Sequence, residues 1–327
     1  MRIHAAGFCH SDLQVLQGQF QSPIGIIPSH EPSGVVAQLG PDYDGELRVG
    51  DRVGALNFKH ACTRCPGCAL TKRTTGRLDP RFCKERETAG FHHDGAFADY
   101  MIADPATIVK LPDSLEHEQA APLMCAGATV WASLERATAG LSTGETVAIV
   151  GIGGLGYLGI QFSKALGFRT IAIDSREAGC ELAREIQNPQ LRPDLVLNSS
   201  NPDAAARDIY NFTDGEGVAA VVACTDSLAA NNWALKLLRI GGTLGVLGLP
   251  ADPWRFDADV ICFRELSIRG SYVASREATE RMMKVVERSG IRSHVRSVSY
   301  GDIPDLVRMY EDKSFKGRLV VPFVEAK

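Results

Sequence analysis

The stretch from Thr146 to Asp174 constrains this chain more tightly than any other. Thr146 to Val150 is a short apolar run without alternation, the pattern of a strand buried on both faces. Gly151-Ile152-Gly153-Gly154-Leu155-Gly156 follows at once. Leu158 to Leu166 reads as a helix, and Thr170 to Ile173 as a second strand closed by Asp174. Strand, glycines, helix, strand and acid in this order form a βαβ dinucleotide-binding unit. Gly151 permits the tight turn, Gly153 admits a pyrophosphate close to the backbone, and Gly156 lets the helix pack on the strand. Gly154 and Leu155 are counted with the glycine loop that binds the cofactor, and the N–H groups of the helix N-terminus suit phosphate. Asp174, eighteen positions after Gly156, falls where an acid binds ribose hydroxyls, which favours NAD over NADP. Arg176 points the other way, since an arginine there tolerates a 2′-phosphate.

The alternation continues downstream. Strands are expected at Leu195 to Leu197, Val218 to Ala223 and Thr243 to Leu247, and helices at Asp203 to Phe212 and Leu228 to Leu238. Gly241-Gly242 reads as the stop of the second helix. The fold class is therefore α/β with a doubly wound parallel sheet. Beyond it, Leu266 to Tyr272 reads as a strand, Ser275 to Ser289 as a helix capped by Ser275, Ile303 to Asp312 as a helix and Lys316 to Val321 as a strand. Arg318 interrupts that last apolar run, either as a surface arginine or as a phosphate contact.

Residues 1–125 have a different texture. Short apolar runs at Gly34 to Leu39, Arg52 to Leu56, Phe97 to Ala103 and Thr107 to Leu111 are separated by turn residues, as in an all-β unit. Within it, Cys62, Cys65 and Cys68 stand at strict three-residue steps, with Cys83 after fourteen more residues. Four thiolates make a full tetrahedral shell for a structural zinc. An iron–sulfur cluster also takes four cysteines, but no other redox signal accompanies them. Thr71 to Arg77, between Cys68 and Cys83, is expected to be a basic, solvated loop. Cys9, His30 and Cys125 form a mixed set, and three protein ligands leave a zinc open to water or substrate. Glu31 is placed as a neighbour or alternate ligand, and Asp12 as the acceptor of the His30 N–H.

The bulk composition removes other classes. A net charge of −4 and a pI near 6.1 offer no electrostatic footing for nucleic acid or an anionic membrane. No apolar run is long enough to span a bilayer, and residues 1–20 lack a signal pattern, so a cytoplasmic setting with nine reduced cysteines is expected.

With these motifs in hand, the chain resembles the zinc-dependent medium-chain alcohol dehydrogenases. The matching runs are CHSDLQVLQGQF, PSHEPSGVV, GFHHDGAFADY, APLMCAGATVW, VAIVGIGGLGYLGIQFSKALG, IRGSYVASR and GRLVV. The resemblance implies a GroES-like β-barrel catalytic domain, residues 1–126 plus 272–327, interrupted by a Rossmann domain at 127–271. It implies two zincs per chain, a catalytic one on Cys9, His30 and Cys125 beside Glu31, and a structural one on Cys62, Cys65, Cys68 and Cys83. It further implies that Ser11 takes the alcohol proton, that His10 and Arg318 contact pyrophosphate, and that Thr129 lies by the nicotinamide. Phe20, Phe58 and Leu249 would line an apolar pocket. The implied partners are NAD, a small alcohol or carbonyl substrate and further copies of the chain, as a homodimer or homotetramer joined near Leu266 to Tyr272.

Three departures stand out. The family's first thirty or so residues have no counterpart, so the strand holding Cys9 is expected to lack partners. The Cys68-to-Cys83 spacing is long. Gln14 stands where many relatives have histidine, so the proton would leave through water or ribose hydroxyls. The alternatives are a polyol or amino-alcohol dehydrogenase, or a non-catalytic zinc- and nucleotide-binding protein disabled by the missing strands.

Overall fold

The computed structural model describes residues 1–312 and 315–323. Residues 324–327, the end of the expected catalytic segment, lie outside the described residues. The chain forms two compact units. One comprises Met1–Ala126, Ser275–Glu287 and Ser293 onward; the other comprises Gly127–Ala274 and Arg288–Arg292.

The first unit is built from β1 (Arg2–Phe8), β2 (Glu31–Val35), β3 (Arg52–Ala55), a small ribbon of β4 (Phe58–Lys59) and β5 (Glu87–Thr88), and β6 (Ile108–Lys110). After the chain returns from the second unit it adds β13 (Val295–Ser297) and β14 (Arg318–Pro322). The main sheet runs β13-β14-β1-β2-β3-β6. Strand β1 is central, not unpaired: Ala5 to Phe8 pair with β14 and Arg2 to Gly7 with β2, both antiparallel. The expectation that it lacks partners is therefore corrected. Its side chains Ile3, Ala6 and Phe8 enter a core with Leu13, Leu319 and Val321. The expected strand at Phe97 to Ala103 does not form. Its backbone pairs with β1 at an Arg2–Tyr100 bridge, and its Phe97 ring stacks on Phe8 of β1 at 6.4 Å.

The expected loop at Thr71 to Arg77 is mostly helix. Helix α2 (Pro66–Thr75) begins where Cys65 Sγ accepts the Cys68 N–H, has Pro66 in its first turn, and stops at Gly76 in the left-handed region, φ 76°. The other helices used below are α1 (His10–Leu16) and α3 (His117–Ala120).

In the second unit, β7 (Thr146–Val150), β8 (Arg169–Asp174), β9 (Leu195–Asn198), β10 (Val218–Ala223), β11 (Leu238–Val246) and β12 (Ser267–Gly270) form one parallel sheet. Its order is β12-β11-β10-β7-β8-β9, the doubly wound order with β7 at the switch point. Residues of β7 and β10 are buried throughout, as unalternating apolar runs require. Helices α4 (Ala126–Ala137), α5 (Gly154–Ala165), α6 (Glu177–Arg184), α7 (Pro202–Phe212), α8 (Leu228–Leu237) and α9 (Ala258–Cys262) complete the series through this unit. Gly241-Gly242 is not a helix stop. It lies inside β11, where the pairing jumps from Leu238–Val218 to Thr243–Ala220. Helix α10 (Arg276–Ser289) carries the expected cap, Ser275 Oγ accepting from Ala278 N–H. The expected helix at Ile303 to Asp312 starts as a 3₁₀ turn containing Pro304 and becomes α11 (Leu306–Glu311).

Candidate functional site

Four ligand-type side chains converge in the first unit: the metal-binding atoms of Cys9, His30, Glu31 and Cys125 all lie within 4.8 Å of one another. Cys9 follows β1 and caps α1; Glu31 opens β2; Cys125 precedes α4. His30 Nε2 is 3.3 Å from Cys125 Sγ.

Asp12 organises this set. Its Oδ1 lies 3.0 Å from His30 Nδ1 and accepts the Ser29 N–H, while its Oδ2 accepts the Cys9 N–H at 2.8 Å. One buried carboxylate thus positions a thiol ligand and an imidazole ligand together. Ser29 adopts a left-handed backbone, φ 77°, and is held there by its Oγ donating to the Gly7 carbonyl. This turn aims His30 inward.

The site gathers buried ionisable groups whose charges are strongly linked. Cys125 and Cys9 share a hydrogen bond that holds the Cys9 thiol well below the usual range, while the same bond and burial push Cys125 up. Burial opposes a charged His30, but Asp12 overrides it and raises the imidazole well above its ordinary value. Burial pushes Glu31 up to about 7 against the pull of Arg318. Arg318 is no surface residue: it is 5% exposed and ion-paired to Glu31 Oε1. Glu31 Oε2 is buried and has no hydrogen-bond partner among the described residues. Two thiols, an imidazole with its far nitrogen anchored, and an unsatisfied carboxylate oxygen fit a zinc ion.

Cys62, Cys65, Cys68 and Cys83 also bring their sulfurs within 4.8 Å of one another. Cys65 Sγ accepts from the N–H groups of Cys68 and Lys84, and Cys83 Sγ from those of Cys62 and Glu85, at 3.3–3.4 Å. Such donors favour thiolate: the two N–H groups lower Cys65 to about 6, while burial pushes Cys68 up to about 12. Here too the residues fit zinc.

The remaining expected residues fall as follows. His10 is exposed at the start of α1, its ring stacked at 5.9 Å on Tyr310; Ser11 and Gln14 are half-buried on the same helix. Phe20 packs edge-on against Phe91 at 5.1 Å, and Phe91 lies 5.3 Å from the His30 ring. Phe91 was missed by the sequence reading, although it stands in the GFHHDGAFADY run. Its signal is an aromatic directly after a glycine turn near the ligands. Phe58 is buried at 2% exposure, at the start of β4.

In the second unit, Gly151 has φ 90° and a Cβ there would press on the Cys224 carbonyl. A Cβ on Gly156 would strike the Gly151 carbonyl, whereas the Cβ direction at Gly153 is open. Helix α5 starts with Gly154 and Leu155, and no side chain caps it. Open space before bare N–H groups fits a pyrophosphate. Asp174 ends β8, 4% exposed, and accepts the Ile152 N–H at 2.7 Å. Thr129 is half-buried in the first turn of α4, and Leu249 is 73% exposed.

Residues 1–113 match the family model of the alcohol dehydrogenase GroES-like domain, and residues 154–288 that of the zinc-binding dehydrogenases. The chain is 33% identical over 323 residues to an alcohol dehydrogenase of Geobacillus stearothermophilus, covering 98% of this chain and 90% of that protein. Among solved structures, the alcohol dehydrogenase of Aeropyrum pernix superposes with a TM-score of 0.84 at 27% identity, covering 98% of this chain and 91% of that one. Acetophenone reductase of Geotrichum candidum in complex with NAD gives 0.81 at 26%, covering 100% and 89%.

Proposed function

Since the chain belongs to the zinc-dependent medium-chain alcohol dehydrogenase family, and so to the oxidoreductases, we propose that it interconverts a primary or secondary alcohol with its aldehyde or ketone, using NAD. The observation that carries this reading is the convergence of Cys9, His30 and Cys125 beside Glu31, with Asp12 behind the imidazole. The NAD complex of the Geotrichum relative supports the cofactor assignment.

When bound, zinc would act as a Lewis acid that acidifies an alcohol, and NAD would accept the hydride from its carbon. The protein residues do the rest. Cys9 and Cys125 supply two negative charges as thiolates and moderate the cation. Asp12 accepts a hydrogen bond from Nδ1–H of His30, which leaves Nε2 as the ligand atom. Ser11 accepts the alcohol proton. Gln14 cannot titrate, so that proton continues to water or ribose hydroxyls. Phe20 and Phe91 offer apolar surface to the substrate's carbon chain. Gly153, Gly154 and Leu155 receive the pyrophosphate, and Thr129, in the same unit, lies toward the nicotinamide. Strand β12 is an edge of its sheet, and we read the Leu266 to Tyr272 segment as the contact between copies.

The test is metal analysis together with a panel of alcohols followed at the NADH absorbance band. About two zincs per chain and turnover of at least one alcohol are expected. Two zincs and tight NADH binding without turnover of any alcohol would sink the proposal.

A further inference from the structure

Asp174 carries four donors. Its Oδ1 accepts the Arg176 backbone N–H at 2.8 Å and the Arg176 Nε–H at 3.1 Å; its Oδ2 accepts the Ile152 N–H at 2.7 Å and an Arg176 Nη2–H at 3.0 Å. An ionised carboxylate has about four lone-pair sites, so this one is full. Two of the four bonds come from the backbone and hold the carboxylate at the end of β8. The other two come from one guanidinium, whose side chain is 57% exposed while that of Asp174 is 3% exposed. Gly179 leaves room for the arrangement, since a Cβ there would collide with Asp174 Oδ2. Glu177, the next acid along, holds Arg184 at 2.8 Å and Asn198 at 3.1 Å and so does not draw Arg176 away.

A ribose diol can hydrogen-bond to this carboxylate only by donating to the same oxygens. The backbone donors cannot leave without unmaking the turn. The exposed guanidinium can, by rotating its side chain. We propose that Arg176 is the residue that sets the choice between NAD and NADP in this chain. Without a dinucleotide, its guanidinium stands in for the ribose hydroxyls on Asp174 and competes with NAD. Once displaced, it is a free cation beside the ribose, positioned to pair with a 2′-phosphate that Asp174 alone would repel. The chain therefore accepts both dinucleotides. This inference rests on the reading of the glycine loop as a dinucleotide site.

The test is direct titration of NADH and NADPH by their fluorescence, with no substrate present, on the wild type and on Arg176→Ala and Arg176→Lys. The wild type is expected to bind both. Arg176→Ala should tighten NADH about two- to five-fold, the worth of a half-exposed ion pair, and weaken NADPH by about ten-fold or more, the worth of a charge-assisted hydrogen bond. Arg176→Lys should keep part of the NADPH affinity, because it keeps the charge but not the fork. The proposal is overturned if Arg176→Ala leaves the NADH and NADPH constants unchanged, or weakens both alike. A drop in urea midpoint with both constants unmoved would assign Arg176 a purely structural role and overturn it as well. Wild-type protein that binds neither dinucleotide defeats the glycine-loop reading itself, and this proposal with it.

Discussion

At the residue scale, Asp12 decides the geometry of the metal centre. It is 1% exposed, and it binds His30, Ser29 and Cys9 at once. Asp12→Asn keeps one acceptor oxygen and turns the other into an NH2 group, so at least one of the three contacts is lost. We expect zinc affinity to fall about 10–100-fold, read as the chelator concentration that releases half of the metal. An unchanged release curve would show that the imidazole needs no anchor. Asp12 was legible as such an anchor, because a ligand histidine needs an acceptor for its second nitrogen. The Ser29 turn was not: nothing local demands a serine at φ 77°. That conformation is held because Gly7 on β1 accepts its hydroxyl, a contact across 22 positions.

At the element scale, two pieces are informative. Helix α2 closes on Gly76, whose φ of 76° suits glycine and where a Cβ would meet nothing within 4 Å. Gly76→Ala should therefore show backbone strain alone, about 1 kcal/mol, measured by urea unfolding. The basic run of Thr71 to Arg77 looked like loop because its charges suggest solvation; capping by Cys65 and Pro66 overrides that. The second piece joins α3 to the sheet. His117 Nδ1 is 2.8 Å from Ser33 Oγ on β2, with the His4 ring of β1 at 4.7 Å and Arg52 of β3 nearby. Burial first, then Arg52 and His4, lower His117 to about 4 from its ordinary 6.5. Between these values the unfolded chain binds a proton that the folded chain does not. The contribution of neutral His117 is thus complete above pH 6.5 and is lost as pH falls toward 4. Stability should decline across that window with a slope of about one proton, and His117→Gln, which can keep the Ser33 bond, should flatten it. A wild-type slope equal to the variant's would remove His117 from the account.

At the scale of the whole molecule, the four-cysteine cluster and the mixed cluster should separate by function. Cys83→Ser is expected to release one of about two zincs and to lower the melting temperature, while the zinc on Cys9, His30 and Cys125 stays bound. Metal analysis beside calorimetry checks this, and loss of both metals together would show that the two sites are not independent. Among the described residues, no helix is long and apolar enough to cross a membrane. The doubly wound sheet, the glycine loop and the two cysteine sets were legible along the chain. Local patterns carry these: period, turn residues and ligand spacing act within a few positions. Features that depend on distant partners came from the assembled fold. It paired β1 between β2 and β14, buried Arg318 against Glu31 across 287 positions, and brought Phe91 beside His30. The physical reason is the same in each case. A strand's partner, a buried charge's counter-ion and a ring's neighbour are set by which chain segments meet in the core, and no local pattern encodes that meeting.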